Sequence, residues 1–151
     1  MSKISDIREQ LETTIESVIT GYRQIPNAYE IEKASNVILK KGYAIAFGPG
    51  SNTERLLSCQ LSVDREMVIV LTRQVSSTEH DTDRREEIEK AIFEDQYLII
   101  KAIEKDPSLN NNAARARYTG DNGLEFLSLE NSRYFILQTN FAFEYFEDLN
   151  T

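Results

Sequence analysis

The sequence predicts an α+β domain in which a mostly antiparallel sheet packs with two N-terminal helices and one long helix. Three observations lead to this fold. Apolar residues recur every three or four positions in three segments, as on a buried helix face. They alternate at every second position in several others, as in strands with one buried face. These strands form two groups around the long helix, and the resulting order, ααβββαβββ, favours α+β over a doubly wound parallel sheet.

The three predicted helices have clear limits. The first ends at Gly21, and the second covers residues 28–41, with Gly42 just beyond its last turn. The third covers residues 84–105 and stops before Pro107. Each carries one apolar stripe, made in turn of Ile4, Ile7, Leu11, Ile15, Val18 and Ile19; of Ile31, Ala34, Val37 and Ile38; and of Ile88, Ala91, Ile92, Ile99, Ala102 and Ile103.

Six strands are predicted, with turn-forming residues between them. Residues 67–75 are apolar on both faces, which predicts a central strand. The last strand is long at 14 residues, so we expect a bulge or a projecting edge that pairs with a neighbour. The predicted strands are 43–47, 55–63, 67–75, 113–119, 124–129 and 133–146, and the predicted turns or loops are 48–52, 64–65, 120–123 and 130–131.

Composition limits the classes of function. The 151 residues fit a single domain spanning the whole chain. Seventeen basic and 25 acidic residues give a net charge of −8, which argues against gripping nucleic acid phosphates. The start lacks the apolar core of a signal peptide, and the longest apolar run, residues 67–71, is too short to cross a bilayer.

No residue pattern indicates an enzyme, a metal site or a cofactor site. The single cysteine, Cys59, sits at an inward position of an alternating strand, where a thiol packs as a small apolar group. The single histidine, His80, lies in an acidic stretch that does not preorganise ligands. We therefore expect no catalytic, metal-binding or cofactor-binding residues.

Several features instead predict contacts with other chains. A second apolar row on the long helix, formed by Phe93, Tyr97 and Ile100, lies about 100° from the first, and it either packs inside the domain or meets another subunit. Arg115 and Arg117 point the same way and predict a salt-bridged sheet face or a subunit contact. The 48–52 loop and the edge of the last strand are the other expected contacts. The predicted interface residues are Gly48, Pro49, Gly50, Ser51, Asn52, Phe93, Tyr97 and Tyr145.

Taken together, these elements resemble the tail terminator proteins of long-tailed bacteriophages. The resemblance rests on the amphipathic N-terminal helices, the strand 43–47 with its 48–52 loop, the hairpin 55–75, the helix 84–105 and the closing strand 134–145. It extends over nearly the whole chain and concerns chain size, the order of the elements and the general character of the sequence, without a short diagnostic motif. One departure from the family is the two-helix start before the first strand.

The resemblance implies a structural virion protein that is assembled in the host cytoplasm. Such a protein forms a hexameric ring that caps the tail tube in the neck, joins it to the head connector or a head-completion protein, and lets DNA pass without specific binding. An acidic lumen suits that passage, since it does not retain a polyanion. The alternative is a small acidic dimeric chaperone, similar to those of bacterial secretion systems, that holds an unfolded client. The mass in solution separates a ring from a dimer.

Overall fold

A computed structural model describes residues 3–56, 60–76, 82–113, 115–129 and 132–149. The predicted α+β class is confirmed. The helices are α1 (Lys3–Val18), α2 (Asn36–Leu39) and α3 (Thr82–Lys105), with a single 3-10 turn at Ile31–Lys33. The strands are β1 (Arg23–Gln24), β2 (Lys41–Leu56), β3 (Gln60–Ser76), β4 (Arg115–Leu129) and β5 (Ser132–Asp148).

The described strands form one mixed sheet in the order β1-β2-β3-β5-β4. β1 runs parallel to β2, and the other three pairings are antiparallel. The element order is α1-β1-α2-β2-β3-α3-β4-β5, so the predicted order ααβββαβββ is wrong in detail. The difference arises because two long hairpins replace the six shorter predicted strands.

In the hairpin formed by β2 and β3, two segments predicted as turns lie within the strands. Residues 48–52 lie within β2, where Gly48 and Pro49 together oppose Glu66 in a bulge. A bulge on a strand with a free outer edge accepts Pro49, which has no N–H to donate. The predicted turn at 64–65 is also wrong, because Asp64 and Arg65 lie within β3 and pair with Ser51 and Gly50 of β2.

In the hairpin formed by β4 and β5, the segment 120–123 that was predicted as a turn lies within β4. Tyr118 and Leu124, on either side of it, both pair with β5, so the chain does not reverse there. Gly120 and Gly123 have φ values of 143° and 75°, and they form bulges in β4. β5 is long, as predicted; it lies between β3 and β4 from Ser132 to Glu144, and from Tyr145 to Asp148 the described residues pair it with β3 alone. The end of the strand does not project beyond the sheet, because Asp148 still pairs with Gln60.

The second predicted helix is broken. Ala34 has φ −69° and ψ 153°, an extended conformation that separates the 3-10 turn from α2. Gly42 lies in β2 instead of ending a helix. Its N–H donates to Thr72 Oγ1 (3.1 Å), and that hydroxyl donates to the Leu39 carbonyl (3.1 Å). Val37, predicted to face the core, is 56% exposed.

The main core lies between one face of the sheet and the helices α1 and α3. The stripe predicted for the first helix is confirmed, and the prediction of a central strand over 67–75 is confirmed by the position of β3. On the opposite face, residues 25–39, here called the lobe, cover Ala44, Val70 and Tyr134. The fully or almost fully buried helix residues in the main core are Ile7, Leu11, Ile15, Ile92, Ile99 and Ile103.

Hydrogen bonds from three elements fix the bulge of β4. Asp121 Oδ1 accepts the Gly123 N–H (2.8 Å), and Oδ2 accepts from Tyr118 Oη (3.1 Å) and Gln96 Nε2 (3.2 Å). Gln96 is buried in α3 and also donates to Thr139 Oγ1 at 3.0 Å. The Gly123 N–H in particular holds the pKa of Asp121 below its ordinary value. Among the described residues, no helix is both long and apolar enough to cross a membrane.

Replacing Gly42 with alanine is expected to destabilise the fold. The added Cβ would lie 2.8 Å from both the Ile38 carbonyl oxygen and Thr72 Oγ1. Overpacking of this kind costs about 1–3 kcal/mol of unfolding free energy, measured by urea denaturation. Gly48→Ala is the matched control, because its nearest neighbour is the Glu66 Cβ at 3.2 Å. Equal losses for the two variants would contradict the role of close backbone approach at Gly42.

Replacing Asp121 with asparagine is expected to weaken the fold at pH 7 by about 0.5–1.5 kcal/mol, the usual value of a lost hydrogen bond. Because the folded pKa of Asp121 is lowered, its charge stabilises the fold above about pH 4, and the effect is lost as pH falls through the folded pKa. The urea midpoints of the two proteins should therefore differ more at pH 7 than at pH 2.5. An equal difference at both pH values would contradict this role.

Candidate functional site

Two uncovered surfaces lie on opposite faces of the sheet. The first, here called the α3 strip, is the outer side of α3 and consists of Glu86, Glu89, Lys90, Phe93, Glu94 and Tyr97. The second, here called the sheet hollow, lies on the half of the opposite face that the lobe leaves bare. It is lined by Pro49, Gly50, Ser51, Asp64, Arg65, Glu66, Arg117 and Ala142.

The α3 strip is a shallow groove of about 810 Å³ with an aromatic centre. Its residues recur at helical spacing, so they share one face. Phe93 is half-buried and packs against the main core, as does Ile100, whereas Tyr97 is 55% exposed. The second apolar row predicted on this helix is thus divided: two members belong to the core and Tyr97 remains outside. Lys101 Nζ lies 5.8 Å from the centroid of the Tyr97 ring.

The rim of the α3 strip is acidic. Three glutamates and one lysine line it, and within the part of the chain that the structure describes none of the four forms an ion pair. Unpaired surface carboxylates around an aromatic side chain favour a partner surface that brings positive charge and hydrogen-bond donors.

The sheet hollow has a volume of about 270 Å³. The space above the sheet exists because Gly50, Ser51 and Ala142 have small side chains or none. Strand register explains the arrangement, because Ser51 lies opposite Asp64 and Ala142 lies opposite Arg117. The side chains of Asp64, Glu66 and Arg117 therefore rise around the short side chain of Ala142, with the two carboxylates on β3 and the guanidinium on β4.

Arg65 fastens the rim of the sheet hollow to the centre of the sheet. Its guanidinium donates to the Gly48 carbonyl (3.1 Å) and to Tyr145 Oη (3.1 Å). A Cβ on Gly50 would lie 2.7 Å from this guanidinium, so glycine leaves room for it. Tyr145 is only 3% exposed and lies in a central strand. The side chain of Tyr145, predicted to lie at an interface, is therefore part of the core, and its hydroxyl holds Arg65.

Two groups in the sheet hollow have unused capacity for polar contacts. Asp64 Oδ1 is shielded from solvent and accepts no hydrogen bond from the described residues. A buried acceptor without a donor is costly, and native proteins rarely leave one. Arg117 is exposed and, among the described residues, forms no ion pair, as is also true of Arg115. A salt-bridged face was one of the two predictions for these arginines, and the described contacts do not include such bridges.

The predicted interface residues thus fall into three environments. Gly48, Pro49, Gly50, Ser51 and Asn52 lie in the bulged part of β2, and three of them line the sheet hollow. Phe93 and Tyr97 lie on the α3 strip. Tyr145 lies in the core. Sequence reasoning missed Asp64 and Glu66 as members of the surface, because it assigned residues 64–65 to a turn.

A separate half-buried cluster joins α3 to the sheet. Arg73 Nη2 lies 2.7 Å from Asp95 Oδ2, and Tyr22 donates its hydroxyl to the same oxygen. Burial first, and then the hydrogen bond to Asp95, raises the pKa of Tyr22 above its usual range, so the phenol keeps its proton. The three residues come from distant parts of the sequence, which gave no signal for this cluster. Their contacts satisfy one another, and the cluster therefore has a structural role.

The structure provides no metal centre within its described ranges, where no group of three or more histidine, cysteine, aspartate or glutamate side chains is arranged to hold an ion. Cys59 and His80, which the sequence analysis considered, lie outside those ranges. No protein-family profile matches the chain, and no curated protein matches it either. The two uncovered surfaces are therefore the features of this chain that bear on function.

Serine substitutions are expected to separate the roles of the two aromatic residues. Phe93→Ser removes a ring that packs against the core and should lower the unfolding free energy by about 1–3 kcal/mol. Tyr97→Ser removes a mostly exposed ring and should change it by less than about 0.5 kcal/mol. Urea unfolding of both variants measures these free energies, at a protein concentration low enough for the subunits to be dissociated. A similar large loss for Tyr97→Ser would place that ring in the core.

Proposed function

We propose that this chain is a structural virion protein that forms a ring on the end of a phage tail tube, as its resemblance to tail terminators implies. The observation that carries the proposal is the pair of unlike uncovered surfaces on opposite faces of the sheet. Contact between two different surfaces is heterologous, and repeated heterologous contacts close into a ring when the rotation allows it. A domain with a single self-complementary surface would instead stop at a dimer.

The net charge supports passage of DNA through such a ring. At −8 per chain, six copies carry −48, so the assembly repels a polyanion in its lumen and does not retain it. The exposed pair Arg115 and Arg117 is too small to bind a duplex through its phosphates. In this proposal DNA passes without specific binding, and the protein performs no catalysis.

Other exposed apolar residues are available for the tail tube protein and for a head connector or head-completion protein. Tyr29 is 75% exposed and Val37 is 56% exposed, and both belong to the lobe, away from the α3 strip. An apolar surface outside the ring contacts suits binding to a second kind of protein. Subunits made in the host cytoplasm would assemble on the tube and remain in the neck of the virion.

The proposal predicts a hexamer. Light scattering on purified protein should give six copies of the 17.3 kDa chain, about 104 kDa, and electron-microscopy class averages should show six-fold rings. The fraction assembled should rise with protein concentration, because association follows mass action. Rings added to tube protein should stop tube growth. A stable dimer that binds an extended client would instead favour the acidic secretion-type chaperone, and a monomer at all concentrations would contradict both.

A further inference from the structure

We propose that Tyr97 of one copy enters the sheet hollow of a second copy and donates a hydrogen bond from its hydroxyl to Asp64. This inference rests on the proposed ring and names the contact that closes it. The occupant of the sheet hollow is therefore a second copy of this chain, and the contact joins the α3 strip of one subunit to the bare half-sheet of the next.

Shape complementarity is the first argument. Tyr97 is the exposed aromatic side chain of the α3 strip, with more than half of its surface uncovered. The sheet hollow offers about 270 Å³ above small residues, enough for a phenol ring. Pro49 and Ala142 supply apolar walls, while Ser51 and Asp64 supply polar atoms at one side. A tyrosine ring, which is apolar along its body and polar at its tip, fits such a lining.

Hydrogen-bond complementarity is the second argument. Asp64 lines the sheet hollow, and its Oδ1 receives no donor from the described residues, so a turn of the carboxylate toward the hollow would open this oxygen to a donor from outside. Tyr97 carries a hydroxyl for which the described residues give no hydrogen-bond partner. Since a phenol O–H is a good donor to a carboxylate, one contact satisfies both groups. Within a single chain the two cannot meet, because Tyr97 lies on the helix-covered face of the sheet and Asp64 on the other.

The distribution of charge is the third argument. On α3, Glu94 lies three residues before Tyr97 and Lys101 lies four residues after it, so opposite charges flank the ring along the helix. The sheet hollow has Arg117 on its β4 side and Glu66 on its β3 side. With the helix laid across the strands, Glu94 approaches Arg117 as Lys101 approaches Glu66. This alternation also fixes the direction of the helix, because reversing it would place like charges together.

Cysteine cross-linking tests the contact directly. In a background in which the one native cysteine is replaced, Cys59→Ser, two variants are made separately: Tyr97→Cys and Ser51→Cys. Both sites are exposed in the single chain. If residue 97 of one copy lies in the sheet hollow of another, mixing the two proteins and oxidising them should give a disulfide-linked pair. The matched control is Tyr29→Cys mixed with Ser51→Cys, since Tyr29 is even more exposed but lies on the lobe.

Each outcome of the cross-linking decides the inference. Preferential linkage of residue 97 to residue 51, at protein concentrations high enough for the weakened variants to assemble, supports it. Tyr97→Cys protein that links mainly to itself would show helix-to-helix contact and overturn it. Rings that form without any linkage between 97 and 51 would also overturn it, while leaving the proposed ring function standing. If the parent protein stays monomeric and does not stop tube growth, the proposed function fails as well.

A double-mutant cycle tests the hydrogen bond itself. Tyr97→Phe keeps the ring and removes only the hydroxyl, and Asp64→Ala removes the acceptor. Each variant should weaken self-association by about tenfold, measured by analytical ultracentrifugation, because each breaks a charge-assisted bond. The double variant should be no more than slightly weaker than either single variant, since the pair is already lost. Additive effects would show that the two groups do not meet and would overturn this part of the inference.

Discussion

The pairing of β3 with β5 is the constraint on which the rest of the structure depends. The two strands pair in one continuous antiparallel register from Gln60 with Asp148 to Gln74 with Tyr134. Side chains alternate with a period of two, so this register places Met67, Ile69 and Leu71 under the helices. A slip of one residue would exchange the two faces of the strand and bury Asp64 and Glu66 in the main core. The flanking strands β2 and β4 then take their positions from these two.

Strand length explains why part of the sheet stays bare. A strand of 17 residues such as β5 is about 56 Å long, whereas α3, with 24 residues, is about 36 Å long. The two long helices, α1 and α3, both pack on one face of the sheet, so only the lobe covers part of the other face. A 151-residue chain with hairpins this long therefore keeps an uncovered half-sheet. The proposed ring uses this surface, with a neighbouring subunit completing the second layer.

Polar contacts between distant segments hold the two uncovered surfaces in place. The cluster of Tyr22, Arg73 and Asp95 fixes α3 against the sheet, and Gln96, one residue further on, reaches Thr139 on β5. Both anchors lie near the middle of α3, next to Tyr97. Arg65, which points to the same face of β3 as Met67, holds the bulge of β2 through the Gly48 carbonyl. Half-buried polar groups of this kind are costly to leave unpaired, so they specify one arrangement.

The sequence by itself determined the fold class, the first and last helices, the central strand and the great length of the last strand. These features depend on periodic burial, which is repeated over many residues and is visible in one chain. The lobe was predicted less well, because Ala34 interrupts a segment whose apolar spacing resembles a longer helix. Phe93 and Tyr97 were both identified as surface candidates, but their spacing alone did not show that one packs inside and the other outside.

Only the tertiary structure decided where the chain reverses and which surfaces remain open. Glycine, proline, asparagine and aspartate at 48–52, 64–65 and 120–123 have the chemistry of turns, yet all three segments lie within strands. The same local conformations serve a turn or a bulge, and the choice depends on whether the flanking residues pair with each other or with a third strand. For the same reason, the position of Asp64 beside Ser51, on which the sheet hollow depends, follows from long-range register and from nothing in the neighbouring sequence.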